Sequence, residues 1–172
     1  MKKILIFLCV LLLIQGCFWM YSTRPGTIPP HIKSVAIKET VNSTAEFNLG
    51  QKFTELQIQK MQLENLLPIM DETIANSIIY TDIKRLSDAV YTYDETVVVK
   101  EYKLTMSLDF KWYDVVNELD MMEKTLSEYE IYYSDTQNSK LSPQDQVNRE
   151  DALDLLMDKM ADKVLIELTS EW

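Results

Sequence analysis

Histidine, glycine and cysteine are scarce in this sequence, and their scarcity restricts the chemistry that we expect. The 172 residues contain one histidine, His31, three glycines and two cysteines. A glycine-rich loop that cradles phosphate needs several closely spaced glycines, so no such loop is predicted. A Ser-His-Asp triad has only His31 available, and this residue follows Pro30 in a segment that we predict to be a tether. We therefore predict no enzyme, no catalytic residue and no cofactor.

Basic side chains are also in the minority. Lysine and arginine number 17 against 27 aspartates and glutamates, which gives a formal charge of −10. This balance argues against a nucleic-acid partner, which would require a basic face, and against adsorption to anionic lipids through charge. A metal site would have to use carboxylates alone. Asp151, Asp154 and Asp158 recur at spacings of three and four, which is typical of a solvated helix face, so no metal ligand is predicted. A pair of carboxylates for glycoside hydrolysis stays open, because the acids allow many pairings.

The chain has no apolar run long enough to span a bilayer, since its longest, Ile4–Ile14, falls short of about 20 residues. This run follows Lys2 and Lys3, as in a secretory signal. The sequence Ile14-Gln15-Gly16-Cys17 resembles a bacterial lipobox, which implies cleavage before Cys17 and acylation of Cys17, with palmitate among its chains. The alternative is an uncleaved N-terminal anchor. Cys9 leaves with the signal, so no thiol remains for a disulfide.

Three segments follow from these observations. Residues 1–16 are the predicted signal peptide, and residues 17–32 form the lipidated N-terminus and a tether that contains three of the five prolines. Residues 33–172 are expected to form a single domain.

Within that domain the clearest pattern is a strand in which six apolar residues alternate with polar ones: Tyr102, Leu104, Met106, Leu108, Phe110 and Trp112. Strict period two predicts one buried and one solvated face. An antiparallel partner is predicted over Leu119–Tyr133, after a turn at Asn117-Glu118, with a bulge near Glu128 where the apolar phase changes.

The other elements are predicted from shorter signals. We expect a strand around Val35–Ile37, an edge strand at 66–70, and a strand at 77–86 that ends in a turn at Ser87-Asp88. A helix begins after the candidate caps Asn42, Ser43 and Thr44, with its apolar stripe at Leu49, Phe53, Leu56 and Leu63. A last helix begins at Ser142-Pro143 and carries its apolar stripe at Leu153, Leu156, Met160, Val164, Leu168 and Trp172.

Together these elements predict the α+β class: two helices packed on one face of a mostly antiparallel sheet of about four or five strands. The other face of the sheet stays open to water or to a partner. Tyr91 and Tyr93, one residue apart beside the expected turn, are either a binding rim for a partner or simple turn packing.

The order of these features resembles the lipopolysaccharide-assembly lipoprotein family, LptE, and more closely its forms from Bacteroidetes-like lineages. The matching pieces are Gly16-Cys17, GTIPPHIKSVAI at 26–37, Asn42–Glu46, YTYDETVVVKEYKLTMSLDF at 91–110, and a terminal helix that ends in Trp172. The resemblance implies an outer-membrane lipoprotein that faces the periplasm and the lumen of an LptD-type β-barrel. It would plug that barrel, help to assemble it, and support lipopolysaccharide transport to the cell surface.

The candidate contacts with lipopolysaccharide are Lys84, Arg85, Lys103 and Lys111, because lysine and arginine pair with phosphate. Each of them also has the simpler interpretation of balancing nearby acids. Two other functions remain open at this point. The protein is alternatively a lipid-anchored periplasmic module that binds a glycan or small ligand through Tyr91 and Tyr93, or a periplasmic hydrolase with an acid pair in a cleft.

Overall fold

The computed structural model describes residues 28–170, apart from 94, 96, 98 and 134–146. Its elements are β1 (Val35–Ile37), β2 (Val41–Asn42), α1 (Leu49–Glu64), β3 (Ser77–Tyr93), β4 (Val99–Asp114), β5 (Leu119–Tyr133) and α2 (Arg149–Thr169). The five strands form one sheet in which β3, β4 and β5 follow one another antiparallel, while β1 and β2 pair parallel with β3. The predicted α+β architecture is confirmed.

The central strand β4 supports the core. Its alternate residues Leu104, Met106, Leu108, Phe110 and Trp112 are fully buried and lie in one cluster with the apolar residues of both helices. The predicted long strand and its buried face are therefore confirmed. The partner strand is also confirmed, because β5 covers Leu119–Tyr133 and follows a turn in which Glu118 has a φ of 54°.

Strand β3 is longer than the sequence predicts. It continues through Ser87 and Asp88, which pair with Thr105 and Leu104 of β4, so the predicted turn at these residues is wrong. Two polar residues in succession suggested a turn, but Asp88 instead accepts a hydrogen bond from the Tyr132 hydroxyl at 2.8 Å. A carboxylate with a partner across the sheet is compatible with a strand.

The prediction of a bulge near Glu128 is also wrong. Glu128 pairs with Met106 in regular register, and the irregularity between β4 and β5 lies at Trp112/Tyr113. The apolar phase changes because Glu128 and Glu130 lie on the helix-facing side and bind the α2 lysines Lys163 and Lys159. Salt bridges with a helix replace apolar packing at this end of β5.

The remaining expected strand, at residues 66–70, is reduced to a single bridge. Ile69 pairs with Val35, and backbone hydrogen bonds join Val35 N to Pro68 O and Met70 N to Val35 O. Residues 28–32, the end of the predicted tether, pack on the domain through Ile28 and Ile32.

Both helices begin later than the sequence predicts. Asn48, the residue before α1, has a left-handed backbone conformation. The buried residues of α1 are Leu49, Gly50, Phe53, Gln57 and Met61. Leu63, which we placed in the apolar stripe, is 74% exposed because α1 buries the row at intervals of four residues instead.

The second helix, α2, begins at Arg149. The Asn148 side chain accepts a hydrogen bond from Asp151 N at 2.9 Å, so the start predicted at Ser142-Pro143 is wrong for this helix. Ser142 and Pro143 themselves lie outside the described residues, as does Trp172. The rest of the predicted stripe, from Leu153 to Leu168, is buried.

A small polar cluster lies within the core between α1 and the sheet. Thr40 Oγ1 is 2.7 Å from Thr81 Oγ1, and Thr40 N donates to Thr54 Oγ1 at 2.8 Å. The buried Gln57 side chain approaches both Thr40 and Thr81 through its carbonyl oxygen at 3.4 Å, which is long for a hydrogen bond. This cluster holds the N-terminal half of α1 against β3.

Candidate functional site

The candidate site is the outer face of the sheet, which we define as the side directed away from α1 and α2. On β4 it carries Lys103, Thr105, Ser107, Asp109 and Lys111, which are half-buried and alternate with the buried core row. Their neighbours on β5 are polar at one end, with Thr125 opposite Asp109 and Ser127 opposite Ser107. At the other end they are Tyr129 opposite Thr105 and Ile131 opposite Lys103. No described helix packs on this face, so these side chains are available to solvent or to a partner.

Two of the four predicted cations are neutralised by carboxylates. Lys84 Nζ lies 2.5 Å from Asp82 Oδ2 and 3.8 Å from Asp109 Oδ2, and Lys111 Nζ lies 2.8 Å from Asp120 Oδ1. The hydrogen bonds to Asp82 and to Asp120 raise the pKa of Lys84 and of Lys111 respectively. Balancing nearby acids is therefore an adequate role for these two lysines.

The other two cations have a different environment. Arg85 is exposed in the β3 strand, and Lys103 Nζ lies 4.0 Å from the centre of the Tyr129 ring. Within the described ranges, neither side chain is within ion-pair distance of a carboxylate. Arg85 and Lys103 are thus the cations of the outer face that keep their charge available for an external anion.

A shallow depression lies on the outer face beside the short strand β2. Its volume is about 230 Å³, and its walls include Val41, Tyr80, Lys111 and Glu123. An adjoining depression is bounded by Tyr80, Lys111 and Tyr113. The lining therefore combines aromatic rings with the apolar parts and heads of paired charged side chains.

Tyr91 and Tyr93, the candidate rim, lie in the last residues of β3 and not beside a turn at Ser87. Their side chains are 50% and 58% exposed, and the exposed Val90 and Val97 lie close to them in the chain. About half of the surface of each tyrosine is accessible to solvent, and about half is covered by neighbouring residues. The last residues of β3 and Val97 thus present apolar side chains to solvent.

At the end of the sheet that carries Tyr91 and Tyr93, an arginine joins α2 to β3 and to the loop before α1. Arg149, the first residue of α2, donates to Glu46 Oε2 at 3.0 Å and to Asp88 Oδ1 at 3.3 Å. The hydrogen bonds to Glu46 and then to Asp88 raise the pKa of Arg149. Burial, and next the hydrogen bond to Asp88, raise the pKa of Tyr132 to about 12, and its ring stacks on Tyr102 at 5.3 Å. Sequence analysis missed this network, because its members are far apart in the chain.

His31 has a partner at the opposite end of the sheet. Its Nε2 lies 2.6 Å from Oδ2 of the buried Asp114, and Asn117 Nδ2 donates to the same carboxylate oxygen at 2.7 Å. Burial tends to raise the pKa of Asp114, but hydrogen bonds from His31, Asn117 and Val116 outweigh it and lower the pKa. No described serine, threonine or cysteine hydrogen-bonds His31, so the pair joins residue 31 to the β4–β5 turn without forming a triad.

Two acids of α2, Asp158 and Asp162, form ion pairs with the other helix. Lys60 of α1 lies 2.7 Å from Asp158 and 2.5 Å from Asp162, which links the two helices. In the described part of the chain there is no group of three metal-ligating side chains. Nor is any described helix long and apolar enough to cross a bilayer. The lipidation site, Cys17, lies outside the described residues.

The comparisons with known proteins agree with this geometry. A model of the LptE family, described as lipopolysaccharide-assembly, matches residues 32–168. No curated protein matches the sequence. A hypothetical protein from Chlamydia trachomatis has a similar fold, with a TM-score of 0.59 at 11% identity over 80% of this chain and 95% of that one.

Two further solved structures share the fold. PelC from Paraburkholderia phytofirmans has a TM-score of 0.54 at 13% identity, over 86% of this chain and 95% of that chain. The rare lipoprotein B from Shewanella oneidensis has a TM-score of 0.52 at 16% identity, over 79% of this chain and 93% of that chain. At these identities the structural likeness supports the fold alone. The family model, however, spans the α+β domain from Ile32 to Leu168, and the chain therefore belongs to the LptE family of lipopolysaccharide-assembly proteins.

Proposed function

We propose that the protein is a lipid-anchored outer-membrane subunit that plugs an LptD-type β-barrel and helps to assemble it. In this role it supports transport of lipopolysaccharide to the cell surface, and it performs no catalysis. The observation that carries the proposal is the family match over residues 32–168. Acylation of Cys17 would supply membrane attachment, since two or more acyl chains give stable anchoring. The domain would face the periplasm and the barrel lumen.

The outer face of the sheet supports a place inside a barrel. The lumen of a large outer-membrane barrel is polar, and the outer face offers hydroxyls and charges such as Thr105, Ser107 and Asp109. The 16 residues of β4 extend over about 50 Å, which exceeds the roughly 25 Å height of the apolar band of such barrels. We expect the partner to be a barrel of about 22 strands, the class whose lumen holds a plug.

Purification from native membranes tests the barrel partnership. The tagged full-length protein is expected to co-purify with one large β-barrel protein, and its depletion is expected to leave lipopolysaccharide off the cell surface. A tagged lipoprotein without a barrel partner, from the same membranes, is the matched control. Recovery of the protein alone after mild extraction, with normal surface lipopolysaccharide on depletion, would contradict the proposal.

The four predicted cations allow a controlled test of lipopolysaccharide contact. Arg85 and Lys103 lack a carboxylate partner in the described ranges, whereas Lys84 and Lys111 have one. We expect the Arg85→Ala/Lys103→Ala variant to bind purified lipopolysaccharide at least about tenfold more weakly, because charge-assisted bonds to phosphate are among the stronger hydrogen bonds. The Lys84→Ala/Lys111→Ala variant removes the same charge from the same face and should lose much less. Equal losses would contradict the assignment.

The exposure of Tyr91 and Tyr93 favours a second candidate function, a lipid-anchored periplasmic module that binds a glycan or small ligand. Half-exposed aromatic rings stack on sugars and other flat ligands. Under this alternative, Tyr93→Ala abolishes binding in a glycan-array assay while barrel association is unchanged. Under the barrel function, neither the parent protein nor the Tyr93→Ala variant binds the glycan array above background. The substitution then affects only the amount of barrel protein that co-purifies.

A further inference from the structure

The depression beside β2, which we call the Tyr80 depression, has a mainly apolar lining with charged groups around it. It lies between the β1–β2 connection and the outer face of β3, β4 and β5. The register places Tyr80 opposite Lys111, and Lys111 opposite Glu123. Neighbouring strands are about 4.8 Å apart, so this row of three side chains crosses about 10 Å of the sheet. Val41, which is 57% exposed, lines the β2 side.

Tyr80 separates this depression from the adjoining one. Its ring packs on a small apolar cluster, apart from the main core, that consists of Ala36, Ala75 and Ile78. The adjoining depression has a volume of about 330 Å³, shares Tyr80 and Lys111, and ends at Tyr113. The contacts with the apolar cluster hold the Tyr80 ring in place, so the ring forms a fixed wall between the two depressions.

Charged groups of both signs border the Tyr80 depression. Its lining contains four carboxylates and two ammonium groups: Glu39, Asp82, Asp109, Glu123, Lys38 and Lys111. The excess of carboxylates disfavours an anionic ligand. A further cation is disfavoured by the two lysines, and Lys111 Nζ already lies 5.8 Å from the centre of the Tyr113 ring. The charges therefore favour an uncharged ligand.

The polar groups of the lining suit a ligand that is rich in hydroxyl groups. In the part of the chain that the structure describes, Glu39, Glu123 and the Tyr80 hydroxyl make no hydrogen bond or ion pair. Carboxylates accept hydrogen bonds, ammonium groups donate them, and hydroxyl groups do both. A polyhydroxylated ring can therefore bond to acceptors and donors of the lining while its C–H groups contact the tyrosine ring.

We propose that the Tyr80 depression binds one uncharged sugar ring of a glycan. One face of the ring packs on Tyr80, and its hydroxyl groups bond to Glu39 and Glu123. The volume of about 230 Å³ gives room for a single ring. A ligand of about 12 non-hydrogen atoms reaches a Kd on the order of 1 mM, which is too weak for a glycan array. The inference concerns a site separate from the candidate cations and the candidate rim, and it does not depend on the barrel function.

Saturation-transfer NMR tests this inference on the mature lipoprotein in a detergent without sugar groups. The probes are glucose, galactose, mannose and N-acetylglucosamine. We expect at least one of them to bind, with the strongest transfer to the ring C–H protons that face Tyr80. The 6-phosphate of the sugar that binds best should bind at least about tenfold more weakly, because the carboxylates of the lining repel it.

Matched variants locate the site. Tyr80→Leu keeps an apolar side chain on the small cluster but removes the ring, and should weaken binding about fivefold. Tyr129→Leu makes the same substitution on the outer face outside the depression, and should leave binding unchanged. Glu123→Gln, at an exposed position where folding is not at risk, should also weaken binding about fivefold, because a charged acceptor forms the stronger hydrogen bond.

Three results would overturn the inference. The first is equal loss of binding in the Tyr80→Leu and Tyr129→Leu variants, and the second is binding of the sugar phosphate as tight as that of the neutral sugar. The third is the absence of binding by all four sugars, including the case in which another part of the chain fills the depression. None of these results bears on the barrel partnership, which co-purification tests separately.

Discussion

Replacing Gly50 by alanine tests how closely α1 packs on the backbone at Thr40. Helix propensity alone would predict the wrong sign for the resulting change in stability. Alanine is favoured over glycine in a helix by about 1 kcal/mol, so the substitution should stabilise an exposed helix. In this structure, however, a Cβ atom at residue 50 would lie 2.3 Å from the backbone carbonyl oxygen of Thr40. The contact involves backbone, so no side-chain rotation relieves it.

The cost follows from the neighbouring contacts. To restore ordinary van der Waals distance, α1 has to move by about 1 Å, which lengthens the 2.8 Å hydrogen bond from Thr40 N to Thr54 Oγ1. Overpacking costs about 1–3 kcal/mol, and a weakened hydrogen bond adds up to about 1 kcal/mol. After subtracting the propensity gain, we expect a loss of about 2 kcal/mol, or about 4–8 °C in Tm for a domain of this size.

Thermal unfolding followed by circular dichroism measures this loss in the protein without its signal peptide. Gln51→Ala, at the next and exposed position of α1, is the control and should change the free energy of unfolding by no more than about 0.5 kcal/mol. A Gly50→Ala variant as stable as the parent, or more stable, would refute the argument from close approach.

Three further outcomes are expected. Cys17→Ser should leave an unlipidated precursor with its signal peptide uncut, and mass spectrometry that finds a mature, unlipidated wild-type protein would contradict the anchor. Asp114 has a lowered pKa in the fold, so its contribution is present above about pH 4, the pKa of an unfolded aspartate, and is lost as pH falls through its folded pKa. Asp114→Asn should accordingly flatten the acid limb of the stability–pH curve measured by urea unfolding. Arg149→Met should lower Tm by about 2–4 °C, because the exposed network to Asp88 contributes about 1 kcal/mol; an unchanged Tm would show that the network adds nothing.

The sequence predicted those parts of the fold in which local pattern and packing agree. The alternation from Tyr102 to Trp112 required a strand with one buried face, and the structure buries every residue of that row from Leu104 onward. The limits of β5 were also predictable, because the turn at Asn117-Glu118 is followed directly by the next apolar run. In both cases the local order of apolar and polar residues is sufficient to identify the element, although distant residues complete its packing.

The errors lie where distant residues decide the local structure. Asp88 remains in a strand because Tyr132 and Arg149 bind its carboxylate, and neither partner can be inferred from the residues around it. Glu128 and Glu130 lie on the helix-facing side because lysines of α2 meet them there. The candidate site shows the same limitation. Sequence identified four cations, but only the positions of Asp82 and Asp120 reveal that two of these are already paired.

The position of α2 has a consequence for synthesis and export. This helix is the last described element of the chain, and its residues Leu156, Met160 and Val164 belong to the cluster that buries the β4 row. A chain is made from its N-terminus, so β3, β4 and β5 exist before the helix that covers them. A product truncated before Arg149 would have only α1 to cover the row of five large apolar side chains, and would expose part of that row. We therefore expect chaperones and proteases to bind incomplete chains through this exposed apolar surface, and to bind the full-length folded protein much less.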